Sequence, residues 1–252
     1  MLIISKKHNG ICVIDCWYAE HAIKQKGIIR YQEALKPIGK QPMEFRTLIS
    51  DLTEDEETIL SHFSQNCKYK VRRAPREGIK CVFKRGNEIE KSDIIEYVDF
   101  FEDFWCSKGV QYTEKEKDLE LLTRYAMADA IAMSIACVGE KRIVYHIHIL
   151  EETRARLYQS ASQFRVDETI SANVVGFANR YLHYQDMLWF KELGKKQYDW
   201  GGAGTGEDVE SITKFKESFG GELVIYYNGE ETSGVMPRIY KGLTGIVGKF
   251  MK

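Results

Sequence analysis

One stretch constrains the fold more than any other. Phe177, Tyr181, Tyr184 and Leu188 recur at helical spacing, which predicts a helix over Phe177–Leu193. Gly194 closes it, because a glycine just past the last turn takes the left-handed conformation without a steric cost. A short strand follows at Lys196–Trp200, then a loop carrying Gly201, Gly202, Gly204 and Gly206, where backbone can approach a ligand closely. A second helix at Val209–Phe219 stops at Gly220-Gly221, and a strand is predicted at Leu223–Tyr227. Helix, strand, glycine loop, helix, strand is a compact α/β unit.

Two motifs sit in that unit: Tyr198-Asp199-Trp200-Gly201-Gly202 and Phe215-Lys216-Glu217-Ser218-Phe219-Gly220-Gly221. Their order and separation resemble the last third of acyltransferases of the GNAT superfamily, and more narrowly the Fem-type branch. The resemblance covers Thr47–Asn228. It implies an α/β (α+β) protein with the GNAT-like acyl-CoA N-acyltransferase fold, a mixed, mostly antiparallel sheet flanked by helices. Residues 1–46 then form an N-terminal extension or a truncated first unit, 47–228 the acyltransferase domain, and 229–252 a C-terminal tail packed on it.

Net charge is -1, so no global field draws the chain to nucleic acid or anionic lipid. A 44% apolar and 29% charged composition is that of a globular chain with a sizeable core. No apolar run reaches the ~20 residues of a membrane helix, and Met1–Lys7 lacks the apolar region of a signal peptide. The six cysteines are scattered with no CxxC pair, which favours free thiols over disulfides or zinc. A cytoplasmic protein without a membrane span is expected.

Met1–Ser5 and Ile11–Tyr18 read as strands, Ala19–Tyr31 is mixed, and Ala34–Pro42 reads as a loop. A strand at Arg46–Ile49 precedes one helix, capped by Asp51 or Thr53, with acids in its first turn and a basic end running to Pro75. A strand at Ile79–Lys84, helices at Asp93–Gly109 and Lys115–Asp129, and strands at Ile131–Val138, Arg142–Leu150 and Arg154–Phe164 follow. The tail from Arg238 is basic, with apolar residues at near-helical spacing after a 229–237 loop.

Acyl transfer to an amine needs a deprotonated amine, donors for the developing oxyanion and a held acyl donor. The resemblance implies a donor site at the helix beginning near Gly176, with Asn173 and Gly176 presenting backbone amides and Ser160, Ser162 and Tyr181 in contact. The usual Q/RxxGxG/A phosphate signature is replaced by Ser171-Ala172-Asn173-Val174-Val175-Gly176. Fem-type proteins share that departure, and their bridge-forming members use aminoacyl-tRNA. The donor is therefore acyl-CoA (acetyl-CoA) or aminoacyl-tRNA, with no metal. Lys216, where many GNAT enzymes carry a tyrosine, is the residue the resemblance assigns to charge stabilisation.

Asp199 either accepts the amine proton or fixes the turn before Gly201-Gly202. Trp200 lines the acceptor site or belongs to the core. Arg73, in the basic Val71-Arg72-Arg73-Ala74 element, contacts an anionic acceptor or complements the helix dipole. Tyr158, Phe215 and Gln185 complete the expected substrate contacts. Tyr158, Ser160 and Ser162 share one strand face, and His146 and His148 share another. A histidine pair of that kind occurs in metal sites, but a third histidine and carboxylate have no candidate at the usual spacing. His146 or His148 is a candidate base lining the cleft. The expected acceptor is a small-molecule or glycan-precursor amine, with tRNA and a second copy of the chain as further partners.

Overall fold

The computed structural model describes residues 1–163, 170–204 and 207–244, with backbone alone for 207–209, 236 and 241–244. It divides into two compact units, Leu48–Leu223 and Met1–Thr47 with Val224–Lys252.

The Leu48–Leu223 unit is a mixed sheet flanked by helices. Its strands are β5 (Ile79–Arg85), β6 (Ile131–Val138), β7 (Lys141–Leu150), β8 (Arg154–Ser162), β9 (Gln197–Asp199) and the end of β4 (Lys40–Asp51), in the order β4-β9-β8-β7-β6-β5. β8 and β9 run parallel and the other pairs run antiparallel. Alternation along β7 places His146 and His148 on one face and Tyr145 and Ile147 on the other.

On the histidine face pack α1 (Glu56–Ser61), α2 (Gln65–Arg73) and α5 (Ala172–Glu192). Their core includes Ile59, Phe63, Val71, Met187 and Phe190 against Ala132 and Leu150. On the other face lie α3 (Lys91–Cys106) and α4 (Lys115–Met127), where Phe100 and Tyr97 meet Tyr145 at ring separations of 4.7 and 5.7 Å. α6 (Glu207–Glu217) follows β9, and its end is held by Phe219 against Phe63 and Trp200.

In the other unit, β1 (Leu2–His8) pairs antiparallel with β2 (Ile11–Trp17), and β2 pairs parallel with β3 (Gly27–Ala34). β3 pairs antiparallel with β10 (Glu222–Ser233), and α7 (Val235–Thr244) follows. Ile14, Cys16, Ile29, Tyr31 and Ala34 form its core.

Several local expectations are corrected. The single helix after β4 is two helices. Asp55 caps α1 by accepting from Thr58 N at 2.9 Å, and Ser64 caps α2 by accepting from Cys67 N at 3.3 Å. Asp51 instead accepts from Thr53 N at 2.8 Å, closing an Asx turn. α5 starts at Ala172 with Ser171 as its cap, so Gly176 lies inside the helix and not at its first turn. The mixed 19–31 stretch and the start of the expected 34–42 loop contain β3, and the expected 229–237 loop is strand through Ser233.

Ser64 satisfies a donor that the first turn of α2 leaves open. Ser64→Ala is expected to lower unfolding free energy by about 1 kcal/mol in urea titration. An unchanged midpoint and slope would show the cap to be dispensable.

Candidate functional site

The two β7 histidines meet a polar stripe on α5. Asn179, His183 and Asp186 recur there at spacings of four and three, which puts them on one helix face. His146 Nδ1 lies 2.7 Å from Asp186 Oδ2, and His146 Nε2 lies 3.0 Å from Asn179 Oδ1. The Tyr198 hydroxyl, from the middle of β9, is hydrogen-bonded with His148 Nε2 at 3.1 Å and His183 Nδ1 at 2.8 Å. His146, His148, His183, Asp186 and Tyr198 are all fully buried. Among the described residues Asp186 Oδ1, His148 Nδ1 and the Ser134 hydroxyl have no hydrogen-bond partner.

Burial disfavours the charged imidazole and pushes His148 down to about 3, with Asp186 working the other way. His183 is lowered well below its ordinary value by burial, then by His146, His148, Lys216 and Arg180.

His146, His183 and Asp186 bring their donor atoms within 4.8 Å of one another, making them the described group that could hold a metal ion. The His146 and His183 rings are stacked, with centroids 4.0 Å apart and planes 26° apart. Stacked rings direct their in-plane lone pairs side by side instead of toward one point, and a hydrogen-bonded network accounts for the cluster.

The network leads into the glycine loop. After Tyr198, the carboxylate of Asp199 accepts from Gly201 N at 2.9 Å. Gly201 and Gly202 are left-handed, with φ of 56° and 62°. A Cβ on Gly201 would stand 2.3 Å from the Leu157 carbonyl oxygen, so only glycine fits where the loop crosses β8. Lys216 is buried, and its ammonium donates to the Gly202 carbonyl at 2.6 Å and also to that of Gly201. Parallel pairing of β8 with β9 ends at Arg156 opposite Asp199, and the loop lies where β8 continues paired with β7 but no longer with β9.

The structure gathers Lys216, Asp199, Trp200 and Phe215 at this corner, with His146 behind His183. Three of the expected residues are enclosed by the protein. Trp200 is fully buried with its indole N–H on Ser50 Oγ at 3.0 Å, so it is a core residue and does not line an acceptor site. The Asp199 carboxylate is buried against its own loop, where it accepts from Gly201 N, the geometry of the turn-fixing alternative. His146 has both ring nitrogens committed and no exposure, which removes it as a base in direct contact with an amine.

Phe215 is half-buried against His183 and Phe219. Ser160 and Ser162 pair across from His146 and Val144, on the α5 side. Tyr158 is parted from them by a β-bulge and sits near Tyr97 and Tyr112, whose phenols it helps raise. Gln185 is half-buried, Tyr181 borders two apolar clusters, and Asn173 is exposed in the first turn of α5. Arg73 is exposed and paired with Glu77 at 2.6 Å. His183, Asp186 and Asn179 were missed as partners of His146, although their spacing on a mostly apolar helix is readable. A cleft of about 580 Å³ lies elsewhere, lined in part by Asp51, Glu54, His62 and Lys196, and takes in none of the expected site residues.

The chain shares its fold with solved structures at low sequence identity. Among solved structures it is similar to FemX, with a TM-score of 0.58 and 10% identity over 96% of this chain and 86% of that one. It is also similar to L-PGS from Bacillus licheniformis, with a TM-score of 0.54 and 12% identity over 98% and 86% of the two chains. No protein-family profile and no curated protein matches the sequence. Among the described residues no helix is long and apolar enough to cross a membrane.

The two buried neutral rings fix a pH dependence. Unfolded imidazoles protonate below about 6.5, whereas folded His148 holds out to about 3 and His183 also stays neutral. The unfolded state then binds more protons, so stability falls as pH drops below about 6.5, by at most about 1.4 kcal/mol per pH unit per ring. Urea midpoints are expected to fall steadily between about pH 7 and 5, with a shallower fall in His148→Gln. Equal slopes in the two proteins would exclude His148. Gly201→Ala is expected to lose at least about 2 kcal/mol in the same measurement, from strain and the clash with Leu157.

Proposed function

We propose that this protein is an N-acyltransferase that moves an acyl or aminoacyl group to an amine by direct attack, with no covalent enzyme intermediate. The observation that carries the reading is the Lys216-stapled Gly201–Gly202 loop where β8 and β9 part, inside a Fem-like GNAT fold. The amine nitrogen attacks the donor carbonyl, and a C–N bond replaces the C–S bond of a thioester or the C–O bond of an aminoacyl ester.

Lys216 acts here through the loop. Its ammonium withdraws charge from the Gly201 and Gly202 carbonyls, which makes the N–H on the far side of each peptide a stronger donor toward an oxyanion. The donor in this reading is acyl-CoA or aminoacyl-tRNA. The acceptor is an amino sugar or a cell-envelope glycan precursor, met in the cytoplasm.

A specific observation favours a second reading. Asp199, His146 and Trp200 are fully buried and internally bonded, as expected of a module that keeps the fold and binds tRNA or a glycan precursor without catalysis.

Calorimetry with coenzyme A, acetyl-coenzyme A and aminoacyl-tRNA, joined to mass-spectrometric detection of acylated amines, separates the two. The enzyme reading expects micromolar binding of one donor and transfer to an amine. It also expects Lys216→Met to lower kcat by about 100-fold with donor affinity nearly unchanged. Donor or tRNA binding with no transfer to any amine would leave the binding module.

A further inference from the structure

The cleft of about 580 Å³ is lined by residues of the Leu48–Leu223 unit alone. Its floor is apolar. Ile59, Phe63 and Phe219 are buried there, with the two rings edge to face and 5.0 Å apart. Its walls are tied together by backbone: Leu52 N donates to the Lys196 carbonyl and Ser64 N to the Ser218 carbonyl, both at 2.8 Å. Gly220 lets the end of α6 press on the end of α1, since a Cβ there would stand 2.8 Å from that of His62. A volume of this size with fixed walls is that of a small-molecule site.

Ser50 lines the cleft and is itself only 8% exposed. Its Oγ accepts from the Trp200 indole N–H at 3.0 Å, and its own O–H has no acceptor among the described residues. A sheltered donor left open costs free energy until an acceptor completes it. An oxygen lone pair in the cleft would do so.

The rim carries the second unmatched group. Asp51, Glu54 and Glu222 lie there, and none of them forms an ion pair with a lysine or arginine among the described residues. Asp51 spends one oxygen on Thr53, and Glu54 meets His62 Nε2 at 2.7 Å. Lys196 is the one lysine in the lining and pairs with none of the three. Elsewhere the chain sets cations against its acids, as Lys84 against Asp93 at 2.7 Å and Arg73 against Glu77 at 2.6 Å. Three carboxylates against one ammonium leave the rim negative and attractive to a cation.

We propose that this cleft binds an amino alcohol with an apolar body. The ammonium meets the Asp51, Glu54 and Glu222 rim, the hydroxyl oxygen accepts from Ser50, and the hydrocarbon lies over Phe63 and Phe219. The lining takes in neither Lys216 nor the Gly201–Gly202 loop, so the site stands whether or not acyl transfer occurs.

Phenylethanolamine, titrated calorimetrically into the full chain near neutral pH and at low salt, is the probe. One site per chain with a dissociation constant of about 1 mM or below is expected. Phenethylamine lacks only the hydroxyl and is expected to bind about fivefold more weakly, whereas α-methylbenzyl alcohol lacks only the amine and is expected to bind at least about 10-fold more weakly. Ser50→Ala is expected to abolish the preference for the hydroxyl. That variant also strips the Trp200 indole of its acceptor and lowers stability, so the charge test is placed on the rim. Glu54→Gln combined with Glu222→Gln is expected to weaken phenylethanolamine at least about fivefold and to leave α-methylbenzyl alcohol unchanged. Glu140→Gln, an exposed acid in the turn between β6 and β7, is the control for loss of charge alone, and a change of less than about 1.5-fold is expected there.

The site is overturned if phenylethanolamine fails to bind at about 10 mM, or if either partial analogue binds as tightly as it does. It also falls if Ser50→Ala keeps the hydroxyl preference, or if Glu140→Gln weakens binding as much as the double variant. Binding at the Lys216 corner instead would be indifferent to Ser50 and to the rim acids. That outcome removes the cleft and leaves the acyl-transfer reading standing.

Discussion

The fully buried carboxylate of Asp186 is the constraint from which the site geometry follows. A carboxylate taken out of water costs several kcal/mol unless hydrogen bonds replace its hydration. Here His146 supplies the close bond at 2.7 Å, and His148 stands 3.6 Å from the same oxygen. Tyr198 then joins His148 to His183. The result ties together β7, α5 and β9. β9 is only three residues long, with β4 on one side and β8 on the other. Its central residue is the one the imidazoles grip, so the position of Asp199, Trp200 and Gly201 after it depends on a network in which none of them takes part.

The Phe177–Tyr227 unit was legible because its signals are local. Helical periodicity, a closing glycine and the two glycine motifs each report on a few adjacent residues. The partners of His146 were not legible, because the contact joins positions 40 residues apart and a polar stripe on a helix ordinarily faces solvent. Residues 27–34 gave no clear strand signal for a similar reason. β3 is held by parallel pairing with β2 and by residues 227–233 from the other end of the chain. The break between α1 and α2 carries no glycine or proline, only Ser64 as a cap, and so reads as continuous helix. Tyr158 was placed on the wrong face because a bulge interrupts an alternation that otherwise holds along β8.

The motif residues raise a different point. Asp199, Trp200, Gly201 and Lys216 carry the resemblance, and in the structure each is accounted for by architecture. Asp199 shapes the turn, Trp200 fills the core, Gly201 lets the loop cross β8, and Lys216 staples the loop to α6. Such residues identify a fold without identifying a reaction. The chemistry of this corner is better sought in groups that the protein leaves unsatisfied. Internally bonded side chains have already lowered their energy in the free protein, whereas a sheltered cation without a counter-charge gains on meeting an anion. Arg180, whose Nε is buried with no acceptor among the described residues, is of the second kind. It stands over the Phe215 ring, 4.7 Å from its centre, on the helix that carries Asp186.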